Sequence, residues 1–101
     1  EIKAFQEQLR SDYHDARHNC YAYMLGPKKE NYRANDDGEP SSTAGKPILG
    51  QIRSFDLTNI LIVVIRYFGG TKLGVGGLIN AYKTAAEEAL KNAKIIRKTL
   101  L

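Results

Sequence analysis

Apolar residues follow two rhythms along this chain, and a third segment follows neither. From Ile60 to Ile65 six apolar residues stand side by side, most of them β-branched. Such a run predicts a strand buried on both faces, the most buried of its sheet, because a half-buried strand alternates with polar residues. Helical spacing appears first at Ile2, Phe5, Leu9 and Tyr13. That helix has no capping residue ahead of it, so an upstream element such as a strand is expected to be missing. The aromatic-rich stretch Asn19–Leu25 predicts a strand, Gly26-Pro27 with Lys28-Lys29-Glu30 a turn, and Asn31–Ala34 a second strand, together an antiparallel hairpin. Asn35–Gly45 (NDDGEPSSTAG) consists of breakers and small polar residues and predicts an exposed loop. A helix then buries Ile48, Leu49, Ile52 and Phe55, with Lys46 and Pro47 in its first turn and Ser42 or Thr43 as cap. The last helix, Val75–Ala93, is expected to bury Leu78, Ala81, Tyr82, Ala85, Ala89 and Leu90. Lys83, Glu87 and Lys91 then step along its outer face. From Lys94 onward the pattern fits a strand, a tail or the start of a further segment equally well.

Helix, strand, strand, helix, strand, helix predicts an α+β fold, a two-layer sandwich of a small mixed β-sheet with helices on one face. The 101 residues suffice for one domain, assigned to 1–93, with 94–101 as a tail or linker towards a second domain. Composition is that of an ordinary globular protein, without a run long enough to span a membrane and without a signal peptide. The single cysteine, Cys20, excludes an internal disulfide and fits a reducing, cytoplasmic setting for a monomer. Net charge is +4, and it is uneven. Residues 59–101 carry seven Lys/Arg against two Glu, which points mildly to a polyanionic partner.

Several clusters carry candidate chemistry. Five glycines, Gly69, Gly70, Gly74, Gly76 and Gly77, separate the apolar strand from the last helix. Strand, glycine loop and helix can aim backbone N–H groups at an anion, or the glycines can simply allow tight turns. The loop is neither a Walker motif nor a dinucleotide fingerprint. His14 and His18 lie four apart near Cys20, but no second ligand pair completes a metal set, so no metal and no cofactor are expected. Asp36, Asp37 and Glu39 can act as acid/base groups or satisfy turn and cap donors. Ser41, Ser42 and Thr43 lack a nucleophile signature, and Cys20 sits among strand aromatics as a small hydrophobe. Tyr67 and Phe68 can stack on bases or pack beneath the loop.

DGEPSSTAGKPIL (Asp37–Leu49), VVIRYFGGTKLGVGGLINAY (Val63–Tyr82) and HNCYAY (His18–Tyr23) resemble the IMPACT family, including its bacterial YigZ-like members. The resemblance implies a fold similar to the second domain of a small-subunit ribosomal protein and to domain IV of elongation factor G. It also implies a link to RNA, the ribosome or translation. Eukaryotic relatives resemble regulators of a stress-activated initiation-factor kinase, whereas these blocks look more bacterial. Bacterial members usually carry a second small domain. Two positions depart from the common family pattern: Ser42 stands where many members have Gly, and Asn80 where many have Arg.

Three functions follow as expectations. The leading one is an RNA- or ribosome-associated module, contacting its partner through Arg66, Gly69, Gly70, Lys72, Gly74, Gly76, Gly77 and Lys83. The second is an enzyme on a small phosphorylated or polar substrate, with His18, Asp37 and Glu39 as acid/base groups. The third is a protein-interaction domain acting on a stress-response kinase pathway.

Overall fold

A computed structural model describes residues 2–67 and 73–92. It contains helix α1 (Ile2–Asp12), strands β1 (His18–Leu25) and β2 (Asn31–Asn35), helix α2 (Gly45–Ser54), strand β3 (Ile60–Arg66) and helix α3 (Gly74–Asn92). The α+β class is the one expected from the element order, but the described sheet is antiparallel and not mixed, and α1 lies on the face opposite α2 and α3. Among the described residues the sheet has the order β2-β1-β3, and both pairings are antiparallel.

The sheet's order corrects one expectation. Among the described strands β3 lies at an edge, and β1 is the central and most buried one. Registers Cys20↔Val64, Ala22↔Ile62 and Met24↔Ile60 put one row of side chains on the face that meets α2 and α3. Cys20, Ala22, Met24 and Ile62 are buried there with Ile48, Leu49 and Ile52 of α2. α3 adds Leu78, Tyr82, Ala86 and Leu90, a stripe of strict four-residue steps. The expected Ala81 and Ala89 instead face solvent, because α3 packs along this one narrow stripe, mainly against α2. Fully burying a side chain such as Ile48 or Ile52 contributes about 1.5–3 kcal/mol.

The alternate residues Leu61, Val63 and Ile65 are apolar because they occupy the sheet's second face, where they are half-buried. Continuous hydrophobicity here marks two differently covered faces, not two equally deep ones. α1 meets that second face through Gln6, Leu9 and Arg10, which line a small cavity with Asn19, Tyr21 and Val63. Of its expected stripe, Phe5 and Tyr13 are exposed. Tyr21 and Tyr23 stack on one another, ring centroids 6.4 Å apart.

The segment between β2 and α2 is folded in on itself, contrary to the exposed loop its composition predicts. Thr43, Ala44 and Gly45 are buried. A Cβ on Gly45 would lie 2.5 Å from the backbone nitrogen of Asn35, so α2 can start this close to β2 only from a glycine. Ser42 has φ 65°, a left-handed conformation that costs an L-residue about 1 kcal/mol. A glycine adopts that backbone angle without this strain.

Gly45→Ala is expected to lower stability by about 2 kcal/mol, since the contact to relieve is rigid backbone. Ser42→Gly should raise it by roughly 0.5 kcal/mol, the relief of φ strain less the added freedom of the unfolded chain. Urea midpoints at unchanged m-value measure both.

Candidate functional site

The acidic loop gathers contacts from every layer. Asp36 reaches forward to the start of α2: its Oδ2 accepts from the Ser42 N–H at 2.8 Å, its Oδ1 from those of Ala44 and Gly45 at 3.1 and 2.8 Å. The α2 cap is therefore supplied from a distance by Asp36, and not by Ser42 or Thr43, because the residue in the N-cap position, Ala44, has no side-chain acceptor. Burial by itself would raise the Asp36 pKa. Donation from Gly45, Ser42 and Ala44, with Lys46 nearby, outweighs it and holds the carboxyl below its ordinary value.

Asp37 faces the other way. Its Oδ2 accepts from the Asn19 N–H at 2.6 Å and its Oδ1 from Arg10 Nη2 at 2.9 Å. Burial again pushes upward, and the Asn19 and Arg10 donors again win, so this carboxyl is also held low. The Asp37 carbonyl lies 2.9 Å from His18 Nδ1. His18 Nε2 in turn is 3.7 Å from Glu39 Oε1.

Glu39 is the innermost carboxylate, with 4% of its side chain exposed. Arg66 Nη1 at the end of β3 donates to Oε2 at 3.0 Å, and the Tyr82 hydroxyl of α3 donates to the same oxygen at 2.6 Å. Burial, then the bonds to Cys20 and Glu39, push the Tyr82 phenol far up. The Cys20 Sγ lies 3.0 Å from the Asp36 carbonyl and 3.3 Å from the Tyr82 hydroxyl. Burial raises that thiol to about 11, so it is inert as a nucleophile at neutral pH.

Of the residues singled out from sequence, His18, Asp37, Glu39 and Arg66 thus converge in one cluster. Their functional groups mostly face one another. Among the described residues no group of three His, Cys, Asp or Glu is arranged to hold a metal ion. Gly69, Gly70 and Lys72 lie outside the described residues. Gly74, Gly76 and Gly77 open α3, and no other part of the described protein presses on Gly74 or Gly76.

Of the remaining residues of the expected cationic face, Arg66 and Lys83 are described. Arg66 is engaged with Glu39. It lines a surface hollow of about 330 Å³ with Val64, Ile65, Tyr67, Ala81 and Tyr82, a mainly apolar set. Lys83 stands two residues beyond Ala81, about 200° around α3, and so points away from that hollow.

Sequence reasoning missed a second hollow, of about 390 Å³, between the outer edge of β2 and α2. Tyr32, Arg33, Ala34, Lys46, Leu49 and Arg53 line it. Lys46, Leu49 and Arg53 recur at helical spacing on one flank of α2, the signal that was available. Tyr32 is 53% exposed, and the Arg53 guanidinium sits 4.9 Å from its ring centroid. Among the described residues no carboxylate lines this hollow.

Fold and site together define an α+β domain whose acidic loop is tied down by an internal ion pair, with a basic, aromatic groove on its outer flank. The family model described as the Impact N-terminal domain matches residues 1–90, and the chain belongs to that family. It is 42% identical over 101 residues to IMPACT family member YvyE of Bacillus subtilis, covering 100% of this chain and 46% of that protein. It is 44% identical to IMPACT family member YigZ of Escherichia coli, covering 98% and 50%. A crystal structure described as that of a hypothetical protein superposes with a TM-score of 0.85 at 43% identity, covering 89% of this chain and 45% of that one. The chain spans about half the length of the curated relatives it matches.

Two predictions follow from the cluster. Arg66→Met strands a buried carboxylate and should cost about 3 kcal/mol. The double variant Glu39→Gln/Arg66→Met should be more stable than the sum of the single losses by about 1 kcal/mol or more. Additive losses in urea melts would show that the pair is not coupled. For acid stability, the Asp36 and Asp37 carboxyls are held below 3.8 in the folded state. Their contribution is therefore complete above that pH and disappears as pH falls through the lower folded values. Asp36→Asn should lower stability at neutral pH by about 2 kcal/mol and flatten the acid limb of a stability–pH curve.

Proposed function

We propose that this chain is a binding module for RNA, in keeping with a role at the ribosome or in translation, and that its contact surface is the groove between β2 and α2. The observation carrying this reading is the lining of that groove. Two α2 cations, Lys46 and Arg53, flank an exposed tyrosine, and no carboxylate joins them. Among the described residues neither Lys46 nor Arg53 forms an ion pair. Arg10, Lys29, Arg66 and Lys91 do, with Asp37, Asp56, Glu39 and Glu87. Exposed cations without an ion pair, beside an aromatic ring, suit a phosphate backbone with accessible bases. Arg33 adds positive charge at the sheet's rim.

This contact face lies at the sheet edge opposite β3, the strand that leads to the glycine loop. The enzymatic alternative draws no support from the acidic loop. A general acid or base must reach its substrate, whereas Glu39 is buried against Arg66 and Tyr82. Asp36 and Asp37 spend their oxygens on backbone N–H groups and Arg10.

Fluorescence anisotropy with a labelled RNA at several salt concentrations tests the proposal. Affinity should fall with salt with a log–log slope reflecting only a few phosphate contacts, on the order of two to four. Lys46→Gln/Arg53→Gln should weaken binding about tenfold at low salt and flatten the slope. Its melting temperature should stay close to that of the parent, because both side chains are exposed. No binding at low salt, or a double variant that binds like the parent, would overturn the RNA reading.

A further inference from the structure

The groove's geometry goes further than a positive patch. Resting on the RNA reading above, we infer that the β2–α2 groove takes single-stranded RNA, with one base stacked on Tyr32 and the flanking phosphates held by Lys46 and Arg53. Tyr32 belongs to a short edge strand, and its Cα partner across the sheet is the buried Met24, so its ring rises on the helix side of the sheet. There the Arg53 guanidinium packs over the ring at 4.9 Å. The ring is therefore held in place while 53% of the residue remains open to solvent. An exposed aromatic ring held by a cation is a ready platform for a base, since every base has a flat face.

Spacing supports a single strand. Lys46 and Arg53 are seven residues apart on α2, about 10 Å along its axis. That matches roughly three stacked nucleotides at about 3.4 Å each. Tyr32 lies against the same hollow as both cations, so a base can reach the ring while its neighbours' phosphates reach Lys46 and Arg53. In a duplex the bases face inward, paired and stacked, and offer no free face to a side chain on the outside. The strand itself adds polar groups: β2 has no neighbour on its outer side among the described residues, so every second residue turns N–H and C=O outward. Such groups can bond to base edges of an unpaired nucleotide. Leu49, between the two cations on α2, supplies an apolar floor.

A labelled 12-nucleotide RNA strand, the duplex formed with its complement, and the variants Tyr32→Phe, Tyr32→Leu and Lys46→Gln/Arg53→Gln test this inference by anisotropy over a salt series. The single strand should bind about tenfold more tightly than the duplex at equal salt. Tyr32→Phe, which keeps the ring, should bind like the parent. Tyr32→Leu should lose about tenfold for the single strand, with an unchanged salt slope, because stacking releases no counterions. The cation variant should instead flatten the slope. Circular dichroism melts of Tyr32→Leu check that the fold is retained, and Tyr32→Phe controls for loss of ring packing under Arg53. A duplex bound as tightly as the strand, or a Tyr32→Leu variant indistinguishable from the parent, would overturn the stacking mode while leaving RNA binding in place. Binding of neither RNA form would overturn both.

Discussion

The carboxylate of Glu39 is the constraint around which this domain closes. A carboxylate that is almost fully buried is expensive unless it is paired and hydrogen-bonded, and here the partners come from distant parts of the chain. Arg66 ends β3, Tyr82 sits mid-α3, and His18 begins β1, so one side chain in a loop fixes two strands and a helix relative to each other. Asp36 and Asp37 extend the arrangement to α2 and α1. The loop that composition marks as irregular is therefore among the better-determined parts of the molecule.

That same arrangement shapes what the acidic residues can do. Their lone pairs are used on N–H groups, two guanidinium groups and a phenol, and the thiol of Cys20 is buried and kept protonated. A cluster with this composition resembles a catalytic site in sequence and behaves as a structural clasp in space. Arg66 shows the principle most clearly. Next to a glycine loop it suggests anion binding, yet in the fold its nearest anion is internal.

Lys46 and Arg53 lie outside this clasp. α2 lies over β1 and β2, and the flank it turns towards the sheet's outer edge bears Lys46 and Arg53 next to Tyr32. Packing produces this patch as a by-product: Ile48, Leu49 and Ile52 turn one side of α2 into the core, which directs the residues on the adjoining flank to the rim. The chain belongs to the Impact N-terminal domain family, and the relatives it matches are about twice its length.

The local elements were legible because their signals are local. Alternation and periodicity placed β1, β2, β3 and all three helices to within a residue or two, and the motif blocks identified the family. The convergence of His18, Asp37, Glu39 and Arg66 was a question that sequence raised and only the fold answered. Burial of β3 was misjudged because six apolar residues in a row look alike whether the strand is central or at an edge; sheet order, a non-local property, decides. The stripe on α3 narrowed for the same reason, since what covers a helix depends on its neighbours and not on its own residues. Asp36 as the cap of α2 and Tyr82 as a donor to Glu39 were hidden by separations of 9 and 43 residues. The groove at Tyr32, Lys46 and Arg53 was hidden likewise, because it exists only where β2 and α2 come side by side. Sequence determined which segments are strands and helices, because backbone preference and side-chain spacing act over a few residues. Tertiary structure decided which charges are free and which are paired, because electrostatic pairing depends on distance in space.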